Sequence, residues 1–157
     1  MAVTTTPRPT GHPGYSQTLP REPESAAVAR RLVCTALAAW GLDDLIEDAT
    51  LVISELVSNA VEHGRLPSIR VIVNRPTENW VHLGVIDRSK ALPTMRPGSN
   101  SDQIRGRGLV LVDAVTERWG TDLYRWGKQV WGELRCDSTA ARATSPQSSR
   151  PDRRAAP

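Results

Sequence analysis

The sequence predicts an α/β fold in two layers, with helices on one face of a mixed, mainly antiparallel sheet. Three observations carry this. Two consecutive stretches, from Pro23 to Leu42 and from Asp43 to Gly64, place apolar residues at three- and four-residue spacing. Two runs immediately after them, Ser68–Asn74 and Trp80–Asp87, alternate apolar with polar residues. Trp119–Tyr124 and Gln129–Cys136 then read as a terminal hairpin turning around Trp126-Gly127. Helical periods followed by strand periods pack as helices against one side of an antiparallel sheet.

In chain order, Tyr15–Pro20 is expected to add as an edge strand before the first helix. That helix has Pro23 in its first turn, apolar Val28, Leu32, Ala36 and Leu37 along one side, and Gly41 as its stop. Asp43 or Asp44 suits the start of the second helix, because a carboxylate is favoured beside the free N–H groups of a first turn. Leu45, Ala49, Val52, Leu56 and Ala60 hold its apolar face as far as Gly64. Ile69, Val71 and Val73 alternate against Arg70 and Asn74, and Val81, Leu83 and Val85 alternate against His82 and Gly84. Residues 88–107 have no apolar period and are rich in Ser, Pro, Gly and Arg. In so small a domain, a loop of that length is expected to be a lid or a binding loop. Gly108–Glu117 is a short helix with Leu109, Val112 and Val115 available for burial.

With 157 residues, 39% of them hydrophobic and 24% charged, the chain supports one core. The domain is placed at residues 15–136, between tails at 1–14 and 137–157. Five of the 12 prolines fall within the first 23 residues, and no Leu, Ile, Val or aromatic residue follows Asp137. Both tails are therefore expected to be disordered, since they bury too little apolar surface to offset ordering entropy. The net charge of +3 belongs to those ends, leaving 14 charges of each sign in residues 23–136. A neutral domain lacks the basic surface that displaces counterions from DNA or RNA, so direct nucleic-acid binding is not expected. No apolar run reaches the roughly 20 residues that cross a bilayer, and the first ten residues have no basic start or apolar stretch. A cytoplasmic location without membrane association is expected. Cys34 and Cys136 stand in no ligand spacing and read as reduced thiols.

Three groups of residues carry chemistry. Glu55, Asn59 and His63 follow at four-residue steps along the second helix, forming one polar stripe. Glu55 is expected at the border of the buried face, with Asn59 and His63 drifting into it. Taken alone, the stripe is also what an ordinary polar flank looks like. Asp87 shares the parity of Val81, Leu83 and Val85, so its carboxylate is expected on the helix-covered face, where it needs a donor. It is equally the kind of residue that caps a following loop. Arg105-Gly106-Arg107-Gly108 precedes the short helix, and its glycines permit close backbone approach beside N–H groups that attract phosphate. The segment has neither the spacing of a P-loop nor that of a dinucleotide-binding turn.

Read together and in order, ELVSNAVEHG at 55–64, VIDRSKALP at 85–93, GRGLVLV at 106–112 and GKQVW at 127–131 resemble the nucleotide-binding motifs of the GHKL, or histidine-kinase-like, ATPase superfamily. Over residues 15–136 the sequence is most similar to the anti-sigma-factor serine-kinase type found in actinobacteria. The resemblance implies a Bergerat-type sandwich that binds ATP with Mg2+ between the helices and a lid. It implies Glu55 as the general base, Asn59 as the magnesium ligand and Asp87 as acceptor from the adenine amino group. Gly106 and Gly108 would let the lid close over the phosphates, with Arg105 or Arg107 as charge partners. His63, Ser89, Leu109 and Gln129 complete the implied ATP-binding set. Two positions depart from the family pattern. Asp87-Arg88-Ser89 stands in place of Asp-x-Gly, and Gln129 stands where a Thr often follows the Lys of the last motif. No phosphoacceptor His helix precedes the domain, so a complete histidine kinase is not expected.

The function implied by the resemblance is that of an ATP-dependent protein serine/threonine kinase. It would hold a sigma factor and phosphorylate a STAS-domain anti-anti-sigma partner, with a homodimer left open. The alternative is a non-catalytic ATP-sensing module that sequesters a regulatory partner.

Overall fold

A computed structural model of the protein describes residues 2–8, 11–88 and 108–136. Strands β1 (Thr4–Thr6) and β2 (Gly14–Pro20) lead into helix α1 (Ser25–Ala39). A 3₁₀ turn (Asp43–Leu45) runs directly into α2 (Ile46–His63), followed by β3 (Ser68–Thr77) and β4 (Trp80–Asp87). After the interval at 89–107 come α3 (Gly108–Val115), β5 (Arg118–Tyr124) and β6 (Gly127–Arg135). The strands form one open sheet in the order β1-β2-β3-β4-β6-β5, with every pairing antiparallel. The sheet is therefore antiparallel throughout, where the sequence allowed a mixed one.

The ends of the helices follow from local chemistry. The Ser25 hydroxyl donates to the Pro20 carbonyl at 2.6 Å, tying the start of α1 to the end of β2. At its other end Gly41 adopts φ +71°. Its N–H donates to Ala38 O at 3.1 Å, while the Leu42 N–H donates to Leu37 O at 2.8 Å. That pair of bonds is the Schellman stop, which needs a residue free to enter the left-handed region. Asp43 and Asp44 occupy the 3₁₀ turn, not the first turn of α2, whose acidic residues are Glu47 and Asp48.

The core lies between the helices and one face of the sheet. Ile53, Leu56 and Val57 from α2 and Leu32, Val33 and Leu37 from α1 bury against Leu19, Val71, Val73, Leu83 and Val85. Each such side chain contributes roughly 1.5–3 kcal/mol relative to remaining exposed. Helix α2 is central, touching α1, α3, β4 and β6. On the other face of the sheet, no helix of the described residues covers the strands.

Three further expectations change. Thr4–Thr6 pairs with Gly14–Ser16, so part of the segment expected as a disordered tail is a strand, and β2 lies inside the sheet instead of at its edge. Three consecutive β-branched residues suit an extended backbone whose N–H and C=O groups find partners on β2. Strand β3 continues three residues past Asn74, through a register shift between Asn74 and Thr77 that accommodates Pro76. The expected short helix ends at Val115, and the Glu117 N–H instead bonds Glu133 O of β6 at 3.0 Å. The C-terminal tail expected from residue 137 onward lies outside the described residues.

Candidate functional site

The alternation of β4 delivers Asp87 to the helix-covered face. Val81, Leu83 and Val85 are all buried there, and Asp87, next in the same parity, is only 3% exposed. Its Oδ1 is fully enclosed and accepts no hydrogen bond among the described residues. A buried acceptor without a donor costs about 1–3 kcal/mol, more when charged, which makes this oxygen a candidate acceptor for a ligand's N–H. Gly127 makes this end of the strand reachable from β6, because any side chain there would run into the Asp87 carbonyl oxygen and the Arg88 backbone.

Helix α2 supplies the other candidates. Glu55 and Asn59 are half-buried, and neither has a hydrogen-bond or ion-pair partner among the described residues. Their four-residue separation places their Cβ atoms about 5–6 Å apart on one side of the helix. His63 does not continue into the buried face as its spacing suggested. It is exposed in the last turn, 3.8 Å from the Glu62 carboxylate. Successive steps of four overshoot the 3.6-residue turn, so the stripe drifts around the helix, and here it drifts out to solvent. Arg21 anchors this end of α2, donating from Nη1 to Val61 O at 2.8 Å and from Nε to Leu66 O at 2.7 Å.

Two further candidates take other settings. Leu109 packs into the core, so its side chain is structural and only the N–H groups of the first turn of α3 are left for a ligand. Gln129 stands opposite Ile86, on the face of the sheet that no helix covers. There its amide lies 2.9 Å from His82 Nε2, with the absence of a side chain at Gly84 making room for it. The residue opposite Asp87 is Lys128. Directly opposed residues of an antiparallel pair share a face with Cβ atoms about 4.5–5.5 Å apart, which makes Lys128 the β6 side chain beside the Asp87 carboxylate. The sequence held the signal for this. Val130 and Leu134 share the parity of Lys128, whereas Trp131 and Glu133 share that of Gln129. Gly127 was also missed, since a glycine in a hairpin reads first as a turn residue. Ser89, Arg105, Gly106 and Arg107, together with the expected lid at 88–107 beyond Arg88, lie outside the described residues.

The uncovered face carries a polar network of its own. His82 Nδ1 is 3.4 Å from Glu133 Oε1, Arg118 donates to Glu133 Oε2 at 2.7 Å, and the Arg118 guanidinium lies 4.2 Å from the Trp80 ring centroid. Burial holds His82 below its ordinary value of 6.5, and the neighbouring Glu133 opposes that shift without reversing it.

The residues present fit a purine nucleotide. An enclosed carboxylate oxygen without a donor suits an exocyclic amino group, which offers two N–H donors. Asn59 offers a hard amide oxygen of the kind magnesium accepts. No group of three His, Cys, Asp or Glu that could hold a metal ion occurs among the described residues. Magnesium bound with a nucleotide usually keeps phosphate and water among its ligands, so a single amide oxygen such as that of Asn59 suits it.

One family model, described as the histidine kinase-like ATPase domain, matches residues 19–130. That span runs from the end of β2 into β6 and contains Glu55, Asn59, Asp87 and Lys128. No curated protein matches the chain.

Proposed function

This chain belongs to the histidine kinase-like ATPase domain family, a family that implies ATP as ligand, and from that premise we propose that it is a regulatory serine/threonine protein kinase. Its substrate would be a STAS-domain anti-anti-sigma protein and its sequestered partner a sigma factor, in the cytoplasm. The observation that carries the nucleotide reading is the buried, unpartnered Oδ1 of Asp87 on the face covered by α2. The partners rest on the likeness of the four ordered motifs to the anti-sigma kinase type.

In this reading Asp87 accepts from the adenine amino group and excludes a base that presents a carbonyl there, because two acceptors cannot bond. Lys128 lies on the same face and adds a donor beside the base. Asn59 holds magnesium through its amide oxygen, and the metal when bound neutralises phosphate charge and aligns the leaving group. The first-turn N–H groups of α3 face the phosphates. Glu55 takes the proton of the substrate serine hydroxyl as its oxygen forms the new bond to the γ-phosphorus and the bond to ADP breaks. A carboxylate on a packed helix, without an ion-pair partner, is suited to that task.

The test pairs two variants. Glu55→Ala should bind Mg-ATP within a few-fold of wild type yet transfer phosphate more slowly by roughly 10²–10⁴. Asn59→Ala should lose magnesium-dependent nucleotide affinity itself. The measurements are calorimetric affinity and single-turnover transfer to a STAS-domain substrate. Equal transfer rates in wild type and Glu55→Ala would remove the base assignment. A wild type that binds Mg-ATP tightly and phosphorylates no STAS partner would replace the kinase reading with that of an ATP-sensing module.

A further inference from the structure

The uncovered face of the sheet holds a cavity of about 90 Å³ lined by Thr18, Ser68, Ile69, Arg70, Ile86 and Arg88. Thr18 pairs with Arg70 across β2–β3, and Arg70 pairs with Ile86 across β3–β4, so these side chains stand abreast on three adjacent strands. Arg88 follows Ile86 in the same parity and extends the row. None of the lining residues is acidic. Arg70 donates from Nη2 to the Ser16 hydroxyl at 2.8 Å, and the Arg88 guanidinium lies 5.7 Å from the Trp126 ring centroid. Neither arginine has a carboxylate partner among the described residues, although those residues contain ion pairs elsewhere.

Two arginines therefore line one hollow with no carboxylate among its lining residues, and an anion there would balance their charge. One arginine fork already matches a carboxylate, whereas two forks with two hydroxyl donors match a dianion with three free oxygens. A hollow of this size has room for a phosphoryl group. We propose that this cavity is a phosphoryl-binding site, formed by Arg70, Arg88, Thr18 and Ser68 and separated from the Asp87 side by the thickness of the sheet. The phosphoryl group is either free inorganic phosphate or a phosphorylated side chain of a partner. The assignment does not depend on the kinase reading, because it uses the opposite face of β4.

The experiment titrates the full chain, in chloride buffer at constant ionic strength, with inorganic phosphate, with a short phosphoserine peptide and with its unphosphorylated counterpart. Saturable binding of a phosphorylated probe is expected in wild type, weakened about tenfold or more in Arg70→Gln and in Arg88→Gln. Circular dichroism checks the fold of both variants. Arg88 is exposed and makes no hydrogen bond among the described residues, so its variant is the decisive one. A phosphopeptide that binds much more tightly than phosphate identifies a partner side chain as the source, and equal affinities identify free phosphate. Lack of saturable binding by either phosphorylated probe, or binding undiminished in Arg88→Gln, would overturn the proposal.

Discussion

The two faces of the β4–β6 ladder solve the problem of polar groups in opposite ways. On the helix-covered face the side chains are apolar from Val81 to Val85 and from Leu134 to Val130, and the row ends in one enclosed carboxylate oxygen without a donor. On the other face His82, Gln129, Glu133 and Arg118 partner one another, and the Trp131 ring stacks on His82 at 5.6 Å, leaving only its own buried Nε1–H unpartnered. Most polar groups of the open face find partners within it, whereas the buried Asp87 acceptor at the end of an apolar row has none among the described residues and is the candidate contact for a ligand. Lys128 and Gln129 are neighbours in the chain and yet belong to these different settings.

The largest effect should come from the covered face. Leu83→Ala removes a fully buried side chain under α2 and should cost about 2–5 kcal/mol. Arg118→Ala, on the open face, should cost no more than about 1 kcal/mol, because an exposed ion pair and a cation–π contact are each weak in water. Denaturant unfolding of both variants measures the contrast, and similar losses would mean that the two faces share the stability equally.

Next in size is the nucleotide effect. Asp87→Asn should weaken Mg-ATP binding about tenfold or more, since an amide presents N–H groups where an acceptor is needed. Gln129→Ala should leave affinity within a few-fold, because that side chain points to the opposite face. Calorimetry with the two variants decides between the faces. A loss in Gln129→Ala as large as in Asp87→Asn would place the nucleotide on the wrong side of β6.

The smallest effect is on pH dependence. Burial disfavours the charged imidazole of His82, so its folded-state value lies below 6.5 and the unfolded chain takes up the proton first. Stability from the neutral ring is therefore complete above the unfolded value and is lost as pH falls through the lowered folded one. Glu133 and, more weakly, Asp122 oppose this shift, while Arg8 adds to it. Thermal melting of wild type between about pH 7 and pH 5 should decline more steeply than that of His82→Gln. Parallel declines would show that other groups govern the acid limb.

The placement of several candidate residues could be read from the chain because its signals are local. The parity of Val81, Leu83 and Val85 put Asp87 on the covered face, and four-residue steps put Glu55 and Asn59 on one side of α2. His63 and Leu109 were harder, since both depend on how far a helix turns relative to its neighbours before it ends. Gln129 was misplaced because it was read by its place in a motif, although the alternation of Val130 and Leu134 already favoured Lys128.

The sequence by itself determined the elements and their inward faces. Hydrophobic periods of 3.6 and 2 residues act over a single helix or strand and need no knowledge of what lies across from them. The tertiary structure alone decided that Thr4–Thr6 finds a partner on β2, that β6 lies between β4 and β5, and that Lys128 faces Asp87. It also gathered Arg70 and Arg88 around one cavity. These outcomes depend on the register between strands distant in sequence, where a shift of one residue exchanges the two faces.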